Sequence, residues 1–147
     1  MPDINVLVDA LRDDSAFHEP SRRFVLSLTN GPVEFAWTSS VFTGVVRIAT
    51  SMRIYHEPVQ LALALRFCDL VRSASRAVQI EPHGKYWPTF TNLLNQHDLS
   101  GGDVSDAALA AIAIEHGCTL VTWDRGFLRF SGLDAVNPET ALKLLAN

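Results

Sequence analysis

Lysine is almost missing from this chain: of 12 basic residues only two, Lys85 and Lys143, are not arginine. With a net charge of −4 the protein lacks the broad positive surface of a non-specific nucleic-acid binder, so any nucleic-acid contact must use a local patch. The arginines suit such a patch, because a guanidinium fork matches phosphate and carboxylate alike. Arg22 with Arg23, Arg47 with Arg53, and Arg125 with Arg129 are the pairs available to line a groove. Cysteine is scarce too. Cys68 and Cys118 show no CxxC or Cys/His spacing, which excludes a disulfide framework and a structural zinc site and predicts buried free thiols in a reducing cytoplasm. The five histidines, His18, His56, His83, His97 and His116, have no HxH or HxxxH spacing and so predict no zinc centre.

Long apolar runs are absent as well. Arg66, Asp69, Glu115 and His116 interrupt the two most hydrophobic windows well before the ~18 residues a membrane span requires. The N-terminus shows no basic region followed by a cleavage site, so a cytoplasmic protein without a secretory signal is expected. No glycine-rich phosphate loop and no G-x-S-x-G elbow occurs, which removes ATP, NAD and serine-hydrolase chemistry from consideration.

What remains is a chain of 147 residues, 48% apolar and 19% charged, a composition that fits one globular domain over residues 1–147. Residues 2–12 read either as a strand or as a very short strand ending near Asp3 and a helix capped by Asn5. A helix from Pro20 to Gly31, a strand over VEFAW and a helix capped by Thr38 or Ser39 follow. PVQLALALRFCDLVRSA forms another helix, with Leu61, Leu65, Cys68 and Val71 as its apolar face. AVQIE is a short strand, and YWPTFTNLLNQH a helix, beginning at its first residue or at Pro88, that leads to a Gly101-Gly102 loop. DVSDAALAAIA then makes a helix ending at Gly117, and TLVTW a strand. Short apolar strands alternating with helices predict an α/β fold with a mostly parallel sheet, which binds ligands at the carboxyl ends of its strands.

Three acids from distant parts of the chain fall at that edge. Asp3 and Asp124 each follow an apolar strand, and Asp106 opens the helix preceding the second of them. Each alone has an ordinary explanation: Asp106 or Asp103 as a helix cap, Asp124 as a turn residue, Asp3 as a solvated acid. Together in an apolar setting they are costly unless a cation neutralises them. Oxygen donors without His or Cys select Mg²⁺, or Mn²⁺, and such an ion activates water for attack on a phosphodiester.

PDINVLV at the start, WTSSVFTGVVRIAT in the middle and SDAALAAIAIEHGCTLVTWDRGF near the end together resemble the PIN-domain nucleases, and within them the VapC-type toxins of bacterial type II toxin–antitoxin pairs. The resemblance implies a PIN-like three-layer sandwich with a short sheet flanked by helices. It implies a Mg²⁺-dependent endoribonuclease acting on structured RNA such as tRNA or rRNA, with Asp3, Asp106 and Asp124 as the metal-binding acids. Asn5 and Thr122 occupy the family's polar positions beside them, and Arg47 its arginine on the middle helix. A VapB-type antitoxin covering the acidic pocket and a homodimer or toxin–antitoxin hetero-oligomer are also implied. One departure stands out. The family's usual glutamate on the helix after the second strand aligns with Gly44, so a single ion is the simpler expectation. Asp103, one turn before Asp106, either supplies the missing charge or caps its helix; the cap is the preferred reading.

Two other readings compete. A degenerate PIN module would bind RNA or protein without cleaving it, as the loss at Gly44 suggests. A phospho-acceptor receiver domain needs an acidic pair after its first strand and a lysine after its last, and neither Lys85 nor Lys143 is so placed.

Overall fold

A computed structural model describes residues 1–146. The chain starts extended, with Pro2 bridging Val121 in parallel, and turns at Asp3 into helix α1, Ile4–Leu11. Of the two readings of residues 2–12, the short extended segment followed by a helix is therefore the one adopted. Its cap is Asp3 rather than Asn5, because the extended backbone of Asp3 lets its own carboxylate accept from Ile4 N–H.

Helix α2, His18–Asn30, leads to strand β1, Phe35–Trp37, and helix α3, Ser39–Ala49. Helix α4, Leu61–Arg72, strand β2, Ala77–Gln79, and helix α5, Tyr86–His97, follow. Helix α6, Asp103–Glu115, precedes strand β3, Leu120–Val121, a 3-10 turn over Arg125–Arg129, strand β4, Ala135–Val136, and helix α7, Pro138–Leu145. Strand β1 pairs with β2 and β3 with β4, and every pairing among the described residues is parallel. The expected α/β class is the fold observed, with the expected short sheet present as two two-stranded parallel sheets, β1-β2 and β3-β4, among the helices.

Several boundaries stand open in the sequence or differ from expectation, for identifiable reasons. Helix α5 covers the whole of YWPTFTNLLNQH; of its two possible starts Tyr86 is the one adopted, since a proline in the first turn forfeits no helical hydrogen bond. Thr38 precedes α3 without a side-chain cap bond; the remote carboxylate of Glu81 accepts from Ser39 N–H at 2.9 Å instead. Helix α4 buries Ala64, Cys68 and Val71 but leaves Leu61 and Leu65 exposed, together with Leu63 and Leu70. Two of its four expected core positions therefore face outward. The last strand and helix were not anticipated, although Asn137-Pro138 carries a helix-start signal, and Asn137 caps α7 by accepting from Thr140 N–H.

The core lies between the sheet and α1, α2, α3 and α6, around the fully buried Leu7, Phe24, Val45 and Leu120. Helix α6 is buried along most of its length because its alanines let other elements approach closely, and it ends before Gly117, whose φ of 62° favours glycine. Trp37 is buried, Trp123 is anchored by donating to Ser21 Oγ, and Trp87 is exposed. The buried Arg12 lies over the Tyr55 ring at 3.7 Å and donates to Glu57 O, tying the loop after α3 to the end of α1. Among the described residues no helix is long and apolar enough to cross a membrane.

Both cysteines are free; Cys68 is buried and Cys118 half-buried. Burial pushes the Cys68 thiol up to about 11, so it holds almost no thiolate at pH 8. Iodoacetamide at that pH is expected to label Cys118 in the folded protein and Cys68 only after denaturation, with peptide mass mapping as the readout. Equal labelling rates in the folded state would contradict this placement.

Candidate active site

Parallel pairing brings the carboxyl ends of the extended segments to one edge. Asp3 follows Pro2, Thr122 and Asp124 follow β3, and Glu81 follows β2. A cavity of about 430 Å³ at this edge is lined by Asp3, Asn5, Arg47, Asp106 and Asp124, among others. An adjoining cavity of about 440 Å³ shares Asp3, Arg47 and Asp106 and extends to Gly44 and Glu81. Six of the seven residues singled out from the sequence thus meet in space, if Thr122 is counted through its bond to Asp3; Asp103 lies beside them, outside the cavity lining.

Asp3 is the most firmly held acid. It is buried, and its carboxylate accepts from Ile4 N–H at 2.6 Å, Asn5 Nδ2 at 2.8 Å and Thr122 Oγ1 at 2.6 Å. Asn5 also donates to Thr122 Oγ1 and accepts from Trp123 N–H, so one amide links α1 to the segment after β3. Asp124 caps the 3-10 turn by accepting from Gly126 N–H at 2.7 Å. A Cβ at Gly126 would lie 2.9 Å from that carboxylate oxygen, so glycine is what permits the close approach.

Asp106 is different. It accepts no hydrogen bond among the described residues, and its ion contact is Arg129 Nη2 at 3.6 Å. The same Nη2 donates to Asp103 at 3.0 Å. Asp103 is therefore not the helix cap expected of it: it lies inside the first turn of α6, exposed, with its carboxylate on Arg129. Being three residues apart on one helix, Asp103 and Asp106 face the same way, and a single guanidinium reaches both.

The electrostatics report an excess of negative charge. Burial holds the Asp3 carboxyl above its ordinary range against its hydrogen bonds, and the charges of Asp106 and Asp124 add to the rise. Asp106 is also raised, first by burial and then by Asp124, with Arg129 opposing. An all-oxygen donor set carrying uncompensated charge fits a hard divalent cation in chemistry. Among the described residues, however, no three acid, histidine or cysteine side chains are gathered into a ready-made metal site. The acids share a cavity wall rather than a closed cage.

At Gly44 the structure explains the missing acid locally. A Cβ there would fall 2.3 Å from Ile4 Cδ1, so Ile4 fills the space a longer side chain would need. Glu81 is a site-lining acid that the motifs did not flag. It accepts from Ser39 N–H, Ser39 Oγ, Thr38 Oγ1 and Gln79 Nε2, and these bonds hold its carboxyl below the ordinary range against burial. Its signal in the sequence was an acid directly after a short apolar strand, the same signal that marks Asp124. Asp9 lines the first cavity as well, its carboxyl raised by burial while accepting from Ser15 Oγ.

Residues 1–133 match the family model described as PIN domain. The chain is 35% identical over 131 residues to VapC ribonuclease Mb2897 of Mycobacterium bovis, covering 89% of each. It is 31% identical over 136 residues to ribonuclease VapC25 of Mycobacterium tuberculosis, covering 92% of this chain and 96% of that one. A crystal structure of VapBC2 from Rickettsia felis bound to a promoter DNA fragment superposes with a TM-score of 0.64 at 23% identity, over 93% of this chain and 96% of that one.

Proposed function

The chain belongs to the PIN-domain family, and from that premise we propose that it is the ribonuclease toxin of a VapBC-type toxin–antitoxin pair, an endonuclease dependent on Mg²⁺ or Mn²⁺. The observation that carries the reading is the cavity shared by Asp3, Asp106 and Asp124, which come from the start of the chain, the start of α6 and the end of β3. These three acids are the proposed metal ligands, and residues 1–147 form a single domain built around them. When bound, the ion supplies an activated water and neutralises charge on the phosphodiester under attack. Asn5 and Thr122 aim Asp3 by donating to it, and the Thr122 bond opposes the rise that burial imposes on its carboxyl. Arg47, exposed on the cavity wall and in none of the ion pairs among the described residues, contacts the RNA backbone.

The substrate is structured RNA, such as tRNA or rRNA, and the protein acts in the cytoplasm. A VapB-type antitoxin covers the acidic cavity and inhibits by charge complementarity. A second copy covers the exposed leucines of α4, giving a homodimer or, with antitoxin, a hetero-oligomer. The absence of an acid at Gly44 favours one ion over two, and it is also the observation that keeps a non-cleaving RNA- or protein-binding role as the second reading.

The deciding experiment incubates the purified protein with total RNA in Mg²⁺, in Mn²⁺ and in EDTA. Discrete cleavage that the chelator stops and added metal restores supports the nuclease. Binding without metal-dependent cleavage of any RNA supports the second reading. A finer prediction concerns Gly126. The methyl of Gly126→Ala displaces the Asp124 carboxylate while leaving the core untouched, so cleavage is expected to fall about 10- to 100-fold with little change in Tm. Unaltered cleavage by this variant would show that the position of Asp124 is not critical.

A further inference from the structure

Arg129 is used by none of the roles above, yet it is the cation nearest the proposed ligands. It ends the 3-10 turn that begins after Asp124, and its side chain is two-thirds buried. Its guanidinium lies 4.9 Å from the Phe130 ring centre, and its Nε is buried with no hydrogen-bond partner. The group is thus held by Phe130 on one side and by two carboxylates on the other. The two contacts are unequal. Asp103 receives a hydrogen bond at 3.0 Å, whereas Asp106 has only a charge contact at 3.6 Å.

The geometry points to Arg129 as a built-in counter-ion that competes with the divalent cation for Asp106, with Asp103 as the residue that holds it in place rather than as a metal ligand. The inference rests on the metal reading of the site. The hydrogen bond to Asp103 fixes one edge of the guanidinium, its Nε is left unpartnered, and Asp106 attracts it through charge alone. Among the described residues Asp106 has no other hydrogen-bond or ion-pair partner, so in the metal-free protein Arg129 supplies the compensation that a cation would otherwise give. A divalent ion at Asp106 then meets a positive charge within a few ångströms. Repulsion of that kind at a partly exposed site weakens binding by roughly five- to tenfold and is reduced by salt. This assigns Asp103 a task that neither a cap nor a ligand would perform: it keeps Arg129 from closing fully onto Asp106.

The test is a Mn²⁺ titration, read by electron paramagnetic resonance and by calorimetry, on wild type, Arg129→Gln, Arg129→Lys, Asp103→Asn and the Arg129→Gln/Asp103→Asn double variant. Circular dichroism and metal-free Tm establish that each is folded. Arg129→Gln is expected to bind Mn²⁺ about five- to tenfold tighter at low salt, with the gap narrowing as salt rises, and to lower the metal-free Tm. Arg129→Lys keeps the charge and stays near wild type. Asp103→Asn weakens Mn²⁺ binding most in the wild-type background, because the released guanidinium settles on Asp106; once Arg129 is gone only the smaller, salt-screened loss of Asp103's own charge remains. Unchanged or weaker binding by Arg129→Gln overturns the inference. So does a loss from Asp103→Asn that is undiminished in the double variant and insensitive to salt, which would make Asp103 a ligand. Wild-type protein that shows no Mn²⁺ binding, or binding that an added Asp106→Asn variant retains in full, would overturn the metal reading itself, and this inference with it.

Discussion

Asp3→Asn is expected to lower metal-dependent RNA cleavage by roughly 10²- to 10³-fold, the range seen when one group stabilising transition-state charge is removed. The substitution conserves shape, so its effect isolates charge. An asparagine at position 3 retains one acceptor oxygen, either for Ile4 N–H at Oδ1 or for Asn5 and Thr122, which share Oδ2, and its amide nitrogen cannot accept in place of the other. The fold nonetheless survives, because in the wild type the ionised carboxylate is itself expensive. Its pKa is raised in the folded state above the ordinary value, chiefly by burial, so the folded protein binds the proton more tightly than the unfolded chain does. That sign means the metal-free protein loses stability as pH rises through the folded pKa, and the cost persists at neutral pH. Asparagine removes it. The metal-free Tm of Asp3→Asn at neutral pH should therefore equal or exceed that of wild type, and the difference should close as both are taken into the carboxylate range. A variant that loses cleavage together with its folded structure would make Asp3 a structural acid instead. Cleavage assays alongside thermal melts at two pH values separate the outcomes.

Leu7→Ala is the largest stability change expected from a single core truncation close to the site. Leu7 is fully buried on α1, one turn beyond the Asp3 cap, where α1 packs against α2 and α3. Removing its isobutyl group leaves a cavity that close-packed neighbours only partly fill, at a cost of about 2–5 kcal/mol. For a chain of this length that corresponds to a fall in Tm of about 5–15 °C. Activity per folded molecule should change much less, since Asp3 is held by Ile4, Asn5 and Thr122 and not by Leu7. Chemical denaturation at equilibrium, with cleavage measured well below the transition, checks both statements. A cost under about 1 kcal/mol would mean that α1 is not the core element its burial indicates.

The homologous segments and the order of the elements were legible because they depend on local chemistry. VEFAW and TLVTW are apolar runs between turn residues, and the helix from Asp103 ends where Gly117 takes up a left-handed backbone. Asp3, Asp106 and Asp124 could be named because each sits at the boundary of an apolar element, where the chain direction alone places it at the sheet's carboxyl edge. The outward-facing leucines of α4 were misread for the opposite reason. Apolar spacing shows that a helix has a hydrophobic face but not whether anything lies opposite it, and here Ala64, Cys68 and Val71 are the residues the rest of the chain covers.

The sequence by itself determined the α/β class and the family, and it named Asp3, Asp106 and Asp124, with Asn5 and Thr122 beside them, as candidates. The class follows from short-range periodicity, the candidate acids from their places at the ends of apolar elements, and the family from the three segments that resemble the PIN-domain nucleases. Only the tertiary structure decided which acids carry which partners. Glu81 caps a helix 42 residues earlier in the chain, and Asp103 gives its charge to Arg129, 26 residues further on. A carboxylate at the start of a helix accepts equally well from its own backbone or from a distant guanidinium, and the choice is made by what the fold brings within about 3 Å, a distance no local pattern encodes.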